Sequence, residues 1–295
     1  MDLVRIRLMT PDDLPAAERA SAAAFLEADR AARLWDEPEP QPPDGASSRN
    51  WIEGIGHHVA TDPGGCWVAE ADGGEIVGLS VAQNRGGVWY LAVFGVLPGF
   101  QGKGVGRRLF DASLAHAGDR PGLISSSPHP AATRRYRLAG FTLHPLMNMS
   151  GRLDRSALPA IDGLREGRPD DFEWMDALDV TLRGGPHGAD HPHMLERRQL
   201  IVSSSPGERP GYVYLDKDEG NPILLAAAHV ETAERLLWEA LAHTRNKAVI
   251  GHISAGNPWA IDIGLTARLD LGREGYLAVR GISEPVPYLA SRHHL

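Results

Sequence analysis

The chain of 295 residues contains a single cysteine, Cys66. One thiol allows no intramolecular disulfide, which fits a reducing compartment. Cys66 opens the apparent strand CWVAEA, so a buried structural thiol is expected in preference to a nucleophile. Long apolar runs are also missing. No stretch reaches the ~18 apolar residues of a membrane span, and the N-terminal MDLVRIRLMTPDD has no apolar segment of signal-peptide length. A cytoplasmic protein with no membrane partner is expected. Positive charge is in short supply: 30 Lys and Arg against 38 Asp and Glu leave a formal net charge of −8. That argues against a general nucleic-acid binder, which needs a basic face to meet phosphates. It favours the approach of a cationic small molecule such as an amine.

What is present suffices for two domains. The length allows two hydrophobic cores, and 42% of the residues are apolar. Val4 to Leu8 reads as a strand. An alanine-rich helix follows Asp12 and runs to about Trp35. Glu37 to Ser48 reads as a loop, and Arg49 to Thr61 as a second helix. Three strands are expected at Cys66–Ala71, Glu75–Gln83 and Val88–Val96, joined by the hairpin turns Asp72-Gly73-Gly74 and Asn84-Arg85-Gly86-Gly87. A glycine-rich loop leads into a helix over Gly104–Ala117. Then come a strand at Leu123–Ser126, a helix at Ala131–Ala139 and a strand at Phe141–Met149. The order is β-α-α-β-β-β-α-β-α-β.

The pattern then partly restarts. Pro169-Asp170-Asp171-Phe172 echoes Pro11-Asp12-Asp13-Leu14 at an offset of 158. LLWEAL at Leu236 echoes LFDASL at Leu109 at 127, and Asn257-Pro258-Trp259-Ala260 echoes His129-Pro130-Ala131-Ala132 at 128. A diverged duplication is expected, trimmed by roughly thirty residues in the second copy. The expected domains are residues 1–152, a linker at 153–168, and residues 169–295.

The segment that carries chemistry is YLAVFGVLPGFQGKGVGRRL. An apolar strand runs into Pro98, then Gln101-Gly102-Lys103-Gly104-Val105-Gly106, then a helix. The first amides of a helix have no intrahelical acceptor, and the helix dipole adds positive potential there. Glycines at 102, 104 and 106 let a diphosphate approach the backbone, and Lys103, Arg107 and Arg108 add cationic charge. A Walker loop is excluded because Lys103 is followed by Gly104 rather than Ser or Thr. A dinucleotide fingerprint is excluded by the spacing G-x-G-x-G, deep within an antiparallel meander.

These residues resemble the coenzyme loop of the GNAT superfamily of acyltransferases, Q/R-x-x-G-x-G/A. A second signature of that family, N-x-x-A-x-x-x-Y-x-x-x-G-F, is matched by Ala132, Tyr136, Gly140 and Phe141, with His129 in place of the usual Asn. The resemblance covers residues 3–150. It implies an α/β (α+β) class with tandem GNAT folds, each a mostly antiparallel sheet flanked by helices, the second copy degenerate. It also implies acetyl-CoA as cosubstrate and direct attack of a primary amine on the thioester. The acceptor is then a small-molecule amine or a protein amine, with a homodimer left open. By the same resemblance, Phe94, Gly95 and Val96 line the acyl and pantetheine path, and the backbone N–H near Val96 receives the oxyanion. Gln101 to Arg107 hold the pyrophosphate, with His129, Ala132 and Arg135 also on the coenzyme. Tyr136 takes the position of the general acid, and transfer from a phenol (~10) to a thiolate (~8.5) is expected to run downhill.

The carboxylate base that many relatives carry on the fourth strand is missing from Val88–Gly99. Glu27, Asp29, Asp36, the histidines and a water chain stay open as substitutes. His187, Asp190, His191 and His193 lie in GGPHGADHPH. His and Asp are zinc ligands, but glycine and proline read as a loop and the spacing does not match a helical metalloprotease pair. A polar loop is expected, with no metal. Aligned at 127, Gln101, Gly102, Gly104 and Gly106 fall on Ala228, His229, Glu231 and Ala233. At 128, Tyr136 falls on Gly264. The second copy is therefore expected not to bind coenzyme. A non-catalytic acyl-CoA sensor or scaffold is the alternative function, and a different nucleotide-binding enzyme a weaker third.

Overall fold

A computed structural model describes residues 4–33, 35, 38–205, 207–291 and 293–294. Asp36, one of the residues considered as a base, and Glu37, the start of the expected loop, lie outside the described residues. The chain divides into two compact units. One comprises Met1–Asn84, Trp89–Arg120 and Pro128–Arg135; the other comprises Arg85–Val88, Pro121–Ser127 and Tyr136–Leu295.

The expected element order of the first half is the order found. It runs β1 (Arg5–Leu8), α1 (Leu14–Ala32), α2 (Gly45–Thr61), β2 (Cys66–Glu70), β3 (Ile76–Arg85), β4 (Val88–Val96), α3 (Val105–Ala117), β5 (Gly122–Ser126), α4 (Pro130–Leu138) and β6 (Thr142–Arg152). Helix α2 starts four residues before the expected boundary. Asp44 caps it, its side chain accepting from the Ser47 amide at 2.7 Å. In the first unit the strands lie in the order β1-β2-β3-β4, with β1, β2 and β3 antiparallel neighbours. The core between this sheet and α3 holds Ala69, Val77, Val96, Val105 and Leu109. Cys66 is fully buried in β2, as expected of a structural thiol.

The second half contains β7 (Leu164–Glu166), α5 (Phe172–Arg183), α6 (Asp190–Arg197), β8 (Arg198–Ser203), β9 (Gly211–Asp216), β10 (Pro222–Ala227), α7 (Val230–His243), β11 (Lys247–Ser254), α8 (Pro258–Thr266), β12 (Asp270–Arg280) and β13 (Tyr288–Leu289). Strand β7 and a 3-10 turn at Arg155–Ala157 lie inside the stretch read as linker. The second unit has an antiparallel sheet in the order β13-β10-β9-β8-β7. It also has the antiparallel run β5-β12-β6-β11. Its core is built by α7 and α8 with Leu236, Leu237, Leu241, Trp259 and Ile263.

The repeat is visible in the elements. Helices α4 and α8 are 128 residues apart at both ends, as are strands β6 and β12. The 3-10 turns Pro11–Asp13 and Pro169–Asp171, and the helices that follow them, start 158 apart. Each front end carries the same ionic fork. Arg7 grips Asp13 through two hydrogen bonds of 2.7 and 2.8 Å, and Arg165 grips Asp171 through two of 2.8 and 2.6 Å. The run β5-β12-β6-β11 is palindromic under this repeat. Strand β5 of the first copy pairs with β12 of the second, and β11 of the second pairs with β6 of the first. The two copies have exchanged their last strands.

Candidate active site

Strand β4 is apolar because both its faces are covered. Val88 to Val93 and Val96 are buried, with Phe94 and Gly95 partly exposed. Phe94 packs on Phe110 with ring centroids 6.0 Å apart. The Val96 side chain is thus in the core, and that of Phe94 packs against it while staying partly exposed. At the end of β4 the chain turns through Pro98–Phe100, with the Gln101 amide donating to the Pro98 carbonyl at 3.2 Å. Gln101 folds back, its Nε2 donating to the Val96 carbonyl at 2.9 Å. This bond ties the loop to the strand that precedes it.

Gly102 (φ +72°) and Gly104 (φ +82°) lie in the left-handed region, where a side chain is strained. A Cβ built at either would meet no atom within 4 Å, so the requirement for glycine comes from the backbone and the space beside it is open. Gly104 is the N-cap of α3 and supplies no capping side chain. The first amides of α3 therefore face that open space at the positive end of the helix dipole. Lys103 lies over the Phe100 ring at 5.3 Å and Arg107 is exposed. Arg108 does not join them as expected: it donates to the Val4 carbonyl at 2.7 Å. Such a loop can receive an anion, with Lys103 and Arg107 as the nearby charges.

His129 precedes α4, and its carbonyl accepts from the Thr133 amide and hydroxyl, both at 3.0 Å. Ala132 and Arg135 are partly exposed on α4. Tyr136 is buried, with 3% of its surface exposed, beside Phe141 at 6.5 Å. Burial pushes its phenol well above the usual range, and a hydrogen bond with Ser126 pulls the other way. The hydroxyl stays protonated through neutral pH. Ser126 was not singled out from the sequence, because its link to Tyr136 joins β5 to α4.

Strand β4 contains no carboxylate, and Glu27 and Asp29 are exposed on α1. Sequence reasoning missed Glu18, which is 9% exposed on α1 and accepts from the Ser48 hydroxyl at 2.7 Å.

The histidine-rich segment differs from its expectation. It is a loop only as far as Ala189, where α6 takes over at Asp190, and it is not an exposed polar one: His187, Asp190 and His191 are fully buried. Pro192 falls in the first turn, where an amide has no intrahelical acceptor to lose. Asp190 accepts the Arg85 guanidinium at 2.9 and 2.8 Å. His187 Nδ1 lies 2.7 Å from Asp179 Oδ2. Burial, and then the nearby Arg183 charge, push His187 down to about 4, so its imidazole is neutral at pH 7.

Residues 24–141 match the model of the Acetyltransferase (GNAT) family. The chain carries the fold of that family in tandem. A proposed acetyltransferase from Pyrococcus horikoshii superposes with a TM-score of 0.74 at 16% identity, over 99% of this chain and 96% of that one. A GCN5-related N-acetyltransferase from Sphaerobacter thermophilus gives 0.58 at 16% identity, over 95% and 97%. A tandem GNAT protein of the clavulanic acid biosynthesis pathway gives 0.56 at 15%, over 96% and 100%. No curated protein matches the sequence. Among the described residues no helix is long and apolar enough to cross a membrane.

The second copy of the fold departs at the loop. Aligned by helix starts instead of by the echo at 127, Gly104 meets His229, both N-caps. His229 is extended, with φ −136° and ψ 147°. The left-handed glycine before the helix has no counterpart there.

Proposed function

We propose that this tandem GNAT protein is an acetyl-CoA-dependent N-acyltransferase that passes its acyl group to a primary amine by direct attack. The observation that supports this reading is the open cradle of Gly102 and Gly104 before the uncapped start of α3. The coenzyme pyrophosphate sits on amides from Gln101 to Arg107, with Lys103 and Arg107 as counter-charges. Phe94, Gly95 and Val96 flank the pantetheine and acyl group, and a backbone N–H near Val96 receives the oxyanion. His129, Ala132 and Arg135 contribute to coenzyme binding. A C–N bond forms, the C–S bond breaks, the amine gives up a proton and the departing sulfur takes one.

Tyr136 is the donor to that sulfur. The expected sense of this transfer has to be reversed. A phenol near ~10 is a weaker acid than a thiol near ~8.5, so full transfer is uphill by about 2 kcal/mol on reference acidities, and burial of Tyr136 adds to this. Tyr136 therefore works by hydrogen-bonding to the sulfur as charge develops there, with the proton passing as the C–S bond breaks.

Calorimetric titration of acetyl-CoA, followed by thiol release against a panel of amines, tests the proposal. One site per chain and thiol release are expected. A sensor or scaffold is the second reading, favoured by the lack of a carboxylate on β4. Binding without release under any amine would select it, and no binding would overturn both.

A further inference from the structure

The second unit buries a convergent group of metal-ligating side chains that the acyl-transfer reading does not use. Asp176 and Asp179 lie three residues apart on α5, hence on one face. His187 and His191 come from the segment that enters α6. Asp179, His187 and His191 are fully buried, and their ligand atoms lie within 4.8 Å of one another. Asp176 keeps 32% of its side-chain surface exposed, which leaves a route from solvent.

The orientation of His191 is the informative feature. Its ring is clamped between Phe172 (5.3 Å, 13°) and Tyr214 (6.0 Å, 24°). Its Nδ1 lies 3.1 Å from the Tyr214 hydroxyl. Its Nε2 lies 3.3 Å from Asp179 Oδ2 and 3.4 Å from Asp176 Oδ1, but is not aligned to give a well-formed hydrogen bond to either. A protonated Nε2 so close to two carboxylates would be expected to donate to one of them. An unprotonated Nε2 puts a lone pair against two acceptors, which is repulsive unless a cation lies among them. Both carboxylates also have outer partners of the kind that hold metal ligands in place. Tyr212 donates to Asp179 Oδ1 at 2.6 Å, and the Gly188 amide donates to Asp176 Oδ1 at 2.8 Å.

We propose that Asp176, Asp179 and His191 form a site for a divalent transition-metal ion, with zinc the best match. Ligands held about 2.0–2.1 Å from a tetrahedral zinc lie about 3.3 Å from each other, which is the spacing from His191 Nε2 to both carboxylates. His187, at hydrogen-bond distance from Asp179, orients that carboxylate. Water entering past Asp176 completes the shell. Calcium and magnesium fit poorly, because both prefer all-oxygen shells.

The test uses the full chain, stripped with a chelator and titrated with Zn²⁺ by calorimetry and with Co²⁺ by visible absorption. One ion per chain is expected, with ligand-field bands of a tetrahedral Co²⁺ centre. Asp176→Asn, at the exposed rim, should weaken Zn²⁺ binding about tenfold or more. It should leave thermal unfolding of the stripped protein unchanged. His191→Phe, which keeps the stacked ring, should abolish the site. His193→Gln, on the same helix, should leave it intact. Absence of saturable binding, or binding that survives both Asp176→Asn and His191→Phe, overturns the proposal.

Discussion

Gly104 combines a backbone that excludes other residues with a surrounding space that would admit them. Replacement by Glu meets no steric wall, since a Cβ there has no neighbour within 4 Å. It does force φ +82° on a residue with a side chain, at a cost of about 1 kcal/mol. It also points a carboxylate at the amides that start α3. Gly104→Glu is expected to lower acetyl-CoA affinity more than tenfold by calorimetry, with only a small drop in thermal stability. Retained affinity would mean that the loop does not hold the coenzyme. Tyr136→Phe removes a hydroxyl that burial keeps protonated. Turnover should fall about a hundredfold while the acetyl-CoA Kd stays within twofold, and an unchanged rate would remove Tyr136 from the reaction. Both residues were legible in the sequence because each lies in one contiguous motif. Ser126, Glu18 and Asp179 were not, because their importance comes from partners on other elements.

Elements were legible where the local pattern and the tertiary environment agree. Strands β2 to β4 alternate with glycine turns, and α3 follows its glycine loop. Elsewhere local signals misled. Ser47 and Ser48 belong to α2, which Asp44 caps, and Pro192 suggested a loop where α6 has begun. Strand β7 was hidden in a stretch of proline, glycine and charge, yet it carries Arg165, whose fork on Asp171 matches Arg7 on Asp13. The Asp171 carboxylate is held down to about 2, mainly by the Arg165 hydrogen bonds, with Trp174 and the Arg168 amide also donating. A carboxyl depressed in the folded state stabilises above its unfolded value of ~3.9, and that contribution is lost as pH falls toward 2. Asp171→Asn should cost about 2 kcal/mol at neutral pH. In thermal melts the gap between variant and wild type should close between pH 4 and pH 2; a gap that stays constant would show that the ionised carboxylate is not the stabilising form.

At the scale of the molecule, duplication was legible from three short echoes, but the exchange of last strands was not. Strands β6 and β12 occupy equivalent positions in the two copies, so nothing in their sequences says which copy's fifth strand each will join. The pairing that a swapped dimer makes between chains is made here within one. A chain ended at residue 152 loses β12 from between β5 and β6. It is expected to show no cooperative thermal transition; cooperative unfolding with acetyl-CoA affinity intact would show the exchange to be dispensable.

That exchange bears on how such a gene can change over time. A duplicated domain that has lost its glycine loop would ordinarily be free to decay or to be deleted. Here its last strand completes the sheet of the other copy, so a stop codon between the halves removes both at once. The second copy is then inherited for a strand it lends, whatever else it does.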